Sequence, residues 1–113
     1  MTASVYQEGR LIAGNIEVAG TFMTRLVGLL GKKKLEQGEG LLLRPCRQIH
    51  TWFMSFEIDV IFLNKNGQIM ALIAGMKPGL ASPKVKHCSQ VLEMVAGSIA
   101  RYDLHIGTVL EIR

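Results

Sequence analysis

The chain has 113 residues, 49% of them hydrophobic and 19% charged, with a formal net charge of +4. That suits a single domain over residues 1–113, able to bury one core without disulfides or metal and too apolar to stay disordered. No apolar run approaches the roughly 20 residues a bilayer-spanning helix needs, and MTASVYQEGR lacks the regions of a signal peptide, so a cytoplasmic location is expected.

Residues 4–8 (SVYQE) and 11–18 (LIAGNIEV) read as short strands joined at Gly9-Arg10, with Gly14 a candidate bulge. A helix follows over 21–31. Thr21 can cap its start and Gly31 its end, while Phe22, Leu26, Leu29 and Leu30 recur at helical spacing and leave Arg25 and Gly28 on the narrow remaining face. Leu41–Leu43 is an apolar strand closed by Pro45. Gln48–Met54 reads as a strand with His50, Trp52 and Met54 on one face and Ile49, Thr51 and Phe53 on the other. Ile58–Asn64 continues the alternation, which puts Asp59 on the same face as Ile61 and Leu63. Asn64-Lys65-Asn66-Gly67 is a hairpin signal, because Asn-Gly meets the positive-φ demand of a type I′ turn, and Gln68–Ala74 returns. Gly75–Lys86, with two prolines and two glycines and no periodicity, reads as a long surface loop. Val91–Val95 is a further strand, Ala96-Gly97 opens a turn with a helical turn over 98–102, and Thr108–Ile112 closes the sheet. The fold expected is therefore mainly β (α+β): a compact small barrel or sandwich of about eight strands with one principal packed helix.

Lysines cluster as Lys32, Lys33 and Lys34 and as Lys77, Lys84 and Lys86. Neither cluster carries the stacking aromatics or groove-fitting helix of a nucleic-acid module, so these are expected to be solvated faces, with no nucleic-acid and no membrane partner. Cys46 and Cys88 are expected to be thiols. Cys46 and His50 have C-x-x-x-H spacing, and His87-Cys88 offers a second pair, but residues four apart in a strand are about 13 Å apart and cannot share one ion. No metal and no cofactor are therefore expected. Phosphate-loop, dinucleotide, nucleophile-elbow and zincin motifs do not occur.

What remains is a set of polar residues in apolar context: Arg25, His50, Thr51, Asp59 and Glu93. A carboxylate among aliphatics pays desolvation unless hydrogen bonds or a cation accompany it. Asp59 can therefore be architectural, bonded to backbone N–H groups, His50 or Arg25. It can also line a pocket with His50 and Thr51, walled by Trp52 and Met54.

The helix TFMTRLVGLLGKKKL with its R-x-x-G-L-L core, the G-L-L-L strand, C-x-x-I-H-T-x-F-M, IDVIFLNKNGQI, VLEMVAG and the late Gly107 together resemble the prokaryotic family called domain of unknown function 192. The resemblance covers nearly the whole chain. It implies a compact β-rich barrel or sandwich with the helix packed against it, and no established activity; the family's motif positions fall on Arg25, Gly28, His50, Thr51, Met54, Asp59, Gly67, Glu93 and Gly97. Where many relatives have glycine-aspartate, this chain has Gly107-Thr108.

The expected role is a small accessory module, monomer or weak dimer, that binds a small molecule or peptide near His50, Thr51 and Asp59, with Arg25 and Glu93 as further candidate ligand-binding residues. Two alternatives stand beside it: an enzyme of unassigned chemistry with His50 as acid/base oriented by Asp59, and a protein-interaction module using loop 75–86.

Overall fold

A computed structural model describes residues 1–20, 34–52 and 54–113. The helix expected over 21–31, and Arg25 and Gly28 with it, lies outside the described residues, as does Phe53.

Seven strands form one sheet: β1 (Thr2–Gln7), β2 (Arg10–Ala19), β3 (Glu39–Leu43), β4 (Ile58–Leu63), β5 (Ile69–Met76), β6 (Gln90–Val95) and β7 (Leu110–Ile112). A single turn of helix, α1 (Ser98–Arg101), separates the last two strands. The spatial order is β5-β4-β6-β3-β2-β1-β7, with β2 and β3 parallel and every other pair antiparallel. The sheet curls until its two edges meet at one end. There Ile69 N donates to Thr108 O and Gly107 N to Ile69 O, each at 2.8 Å, and Leu110 N donates to Gly67 O at 2.8 Å. These bonds cover part of both edges, which would otherwise present unpaired backbone groups. Gly67 has φ +84°, and a Cβ on it would strike the backbone carbonyl of Leu110, so the Asn-Gly turn serves the seam as well as the hairpin.

The alternation of side chains makes two cores. The first draws on all seven strands, as residues converging inside a curled sheet do: Val5, Ile16, Leu42, Ile61, Ile69, Leu92 and Leu110 are among its members. The second lies on the opposite face of the central strands, where Leu41, Leu43, Val60, Phe62 and Val91 pack with Leu35, Ile49 and Cys88 from the connections. β4 is buried at every position because both of its faces are covered, which is why it reads as an apolar run broken only by Asp59.

Eight strands were expected and seven are found among the described residues. The missing one is Gln48–Met54, which contributes only an isolated bridge, His50 to Ala81. The expected bulge at Gly14 matches a register shift: Ala3 pairs with Ile16 and Val5 with Ala13, so β2 carries an extra residue there.

Candidate functional site

Residues 46–51 and 79–89 run side by side as an irregular antiparallel ribbon against the second core. Cys46 N donates to Ser89 O at 3.0 Å, Val85 N to Arg47 O at 2.9 Å, Ser82 N to Ile49 O at 2.8 Å, Thr51 N to Leu80 O at 2.8 Å and Gly79 N to Thr51 O at 3.0 Å. Side chains add to it: Ser82 Oγ accepts from Ile49 N at 3.0 Å, and Gln48 Nε2 donates to Ser82 O at 3.0 Å. The segment expected to be a long surface loop is mostly exposed and forms half of this ribbon, and its first residues, Gly75 and Met76, belong to β5. A stretch with two prolines cannot supply a regular ladder, so Ser82 and Thr51 satisfy groups the backbone leaves over.

Thr51 is fully buried at the ribbon's tip. Its hydroxyl donates to Lys77 O at 2.6 Å and accepts from Leu80 N at 3.0 Å. His50 and Trp52, on either side of it in sequence, project outward, and their rings stack with centroids 4.3 Å apart and planes inclined by 18°. Trp52 is 49% exposed, as is Leu80. Met54 does not join them. The chain turns after Thr51, with Met54 N donating to Thr51 O at 3.2 Å, and Met54 packs half-buried against the second core. The expectation that Trp52 and Met54 form one apolar wall is corrected accordingly: the turn breaks the alternation that would have aligned them.

Asp59 is 1% exposed, and its carboxylate is occupied by backbone. Oδ1 accepts from Gly75 N at 2.8 Å, and Oδ2 from Gly97 N at 3.2 Å and Ile99 N at 2.8 Å. Gly75 N needs a partner because β5 bulges there: Ile58 pairs with Met76 but Val60 with Ile73. Gly97 and Ile99 open α1, whose first turn has no acidic residue of its own, so Asp59 caps the helix from a neighbouring strand. None of these bonds goes to His50. The arrangement in which Asp59 orients the imidazole is therefore not the one observed: the nearby orphan N–H donors take its oxygens instead. Thr51 and Asp59 nonetheless hold the same stretch of backbone, at Lys77 and Gly75.

Glu93 lies on the other face. The register pairs Asp59 with Met94 and Val60 with Glu93, so the two carboxyls point to opposite sides of the sheet and do not share a site. Burial alone pushes the Glu93 carboxyl up to about 8.

Cys46 and Cys88 are thiols, the first half-buried and the second buried. They flank a cleft of about 430 Å³ with Arg47, Gln48 and Lys84. Among the described residues no group of three His, Cys, Asp or Glu is placed to hold a metal ion. Leu80, Ser82 and Lys77 were not anticipated as partners of Thr51 and Ile49; the only signal was a Ser-Pro pair inside a segment without periodicity.

The fold and site together define a small curled-sheet domain that presents a stacked aromatic pair on a stapled ribbon. The chain belongs to the family domain of unknown function 192, described as Uncharacterized ACR, whose model matches residues 3–112. It is 27% identical over 107 residues to a protein of uncharacterised family UPF0127 from Thermococcus kodakarensis, covering 91% of this chain and 68% of that protein. A protein of unknown function from Novosphingobium aromaticivorans shares the fold with a TM-score of 0.83 at 21% identity, over 98% of this chain and 84% of that one. A proposed transcription regulator from Sinorhizobium meliloti does so with a TM-score of 0.79 at 21% identity, over 96% and 90%. Among the described residues no helix is long and apolar enough to cross a membrane.

Proposed function

We propose that this chain is a binding module rather than an enzyme, and that it holds a peptide or a planar small molecule on the stacked His50 and Trp52 rings. The observation that carries the reading is the ring pair itself, held in solvent on backbone that Thr51 fastens to Lys77 and Leu80. A large aromatic already fixed in place offers contact area at little ordering cost. Covering the exposed half of an indole removes about 120 Å² from water if the side chain can bury about 250 Å², which contributes about 3 kcal/mol. A catalytic role for His50 would need a group to orient its imidazole, and Asp59 is committed to Gly75, Gly97 and Ile99. The reading that assigns interaction to loop 75–86 converges on the same surface, because Gly79 and Leu80 pair with Thr51.

Trp52 is the chain's one tryptophan, so its emission reads the site directly. Titration with proline-rich and aromatic peptides and with planar heterocycles is expected to give a saturable change in the wild type, with matching thermal stabilisation that Trp52→Ala abolishes. Equal ligand stabilisation of Trp52→Ala and wild type would refute the proposal.

A further inference from the structure

We propose that Cys46 is a site of reversible mixed-disulfide formation with anionic low-molecular-weight disulfides, and that Cys88 resolves the adduct into an internal Cys46–Cys88 disulfide. The two residues are 42 apart in sequence, but the ribbon makes them neighbours. Cys46 N bonds Ser89 O at 3.0 Å, and Cys88 Sγ lies 3.5 Å from the carbonyl oxygen of Cys46 itself and 3.2 Å from that of Gln90. A turn from Val85 to Cys88, with His87 at φ 63°, aims the second thiol at the first residue. The Cys46 sulfur lies 3.2 Å from Gln48 O.

Access separates the two roles. Cys46 is half-buried on the wall of a cleft of about 430 Å³ that also exposes Arg47 and Lys84, room for one small peptide-like group whose carboxylates those cations attract. Cys88 is only 5% exposed, and burial raises its thiol above the ordinary range, so an entering disulfide meets Cys46 first. In the first step the Cys46 thiolate attacks one sulfur of the small disulfide, forming a mixed disulfide and expelling one small thiolate. In the second the Cys88 thiolate, its proton lost to solvent, attacks Cys46 Sγ, forming the internal disulfide and expelling the other small thiolate. The protein loses two electrons and two protons, and the small disulfide becomes two thiols. Excess small thiol reverses both steps.

The test uses the full chain with oxidised glutathione and reads intact mass over time. Wild type is expected to lose two hydrogens and retain no adduct, Cys88→Ser and Cys88→Ala to accumulate a single adduct, and Cys46→Ser to react at least tenfold more slowly. Arg47→Glu combined with Lys84→Glu is expected to slow oxidised glutathione several-fold but not the cationic disulfide cystamine. Reaction of Cys46→Ser at the wild-type rate would overturn the entry site. A lasting adduct on wild type without internal disulfide would overturn the role of Cys88, and equal slowing of both oxidants by the charge reversal would overturn the anion preference.

Discussion

Replacing Asp59 by alanine tests how much of the apparent site is architecture. The substitution removes the acceptor for Gly75 N, Gly97 N and Ile99 N together, all three in part-buried surroundings. A buried N–H left without a partner costs roughly 1–3 kcal/mol. Partial hydration of the bulge and the helix start keeps the sum nearer the low end, about 3–5 kcal/mol for the three. For a domain of this size each kcal/mol lowers the midpoint by about 4–8 °C, so the fall is expected to be roughly 15 °C or more. Asp59→Asn keeps one oxygen and sets an amide NH₂ against a backbone N–H, and is expected to cost about 2 kcal/mol. Urea unfolding of the three proteins, compared at equal m-value, gives both figures. An alanine variant within about 1 kcal/mol of wild type would refute the assignment of these bonds as the reason Asp59 is buried.

Thr51→Val keeps the shape but removes the bonds to Lys77 O and Leu80 N; a loss of about 1–3 kcal/mol is expected, with faster amide exchange at Leu80. Glu93 has a folded-state pKa of about 8 against an ordinary value of 4.5, so the fold favours its protonated form. Its contribution is fully present below pH 4.5 and is lost as pH rises through 8. Glu93→Gln is therefore expected to gain on wild type across that window, by on the order of 3–5 kcal/mol, in pH-dependent unfolding. A pH-independent difference between the two proteins would contradict this. Gly67→Ala places a methyl against the Leu110 carbonyl at positive φ and is expected to cost at least about 2 kcal/mol and to raise exchange at Ile69 and Leu110, where the sheet closes.

Much of this fold was legible because its strongest signals are local. Asn66-Gly67 marked the hairpin, although its turn is not the type I′ expected, since Gly67 is at positive φ and Asn66 is not; the apolar run around Asp59 marked a strand, and Gly14 the bulge in β2. The ribbon was not legible. Ile49, His50, Thr51 and Trp52 do alternate inward and outward, but a segment paired irregularly to a proline-containing loop alternates just as a strand does. Its partner has no pattern to read because two prolines interrupt it and its backbone bonds are irregularly spaced, with Ser82 and Thr51 side chains filling in between them. Of the candidate residues Thr51, Asp59 and Glu93 are buried, His50 is exposed and Arg25 lies outside the described residues, and face and register decide which of the buried ones meet. Asp59 and Glu93 separate because β4 and β6 pair Val60, not Asp59, with Glu93, a parity that one strand's sequence does not contain.

The central claim is that recognition occurs on the His50–Trp52 rings while Asp59 serves the fold. Amide shift mapping of the folded chain against a fragment and peptide panel tests it most directly. The account predicts that specific ligands move the signals of residues 48–52 and 79–82 in wild type and in Asp59→Asn alike, and move none in Trp52→Ala. Ligands that instead move residues 97–99 and 75, and lose their affinity in Asp59→Asn with the ring pair intact, would contradict it.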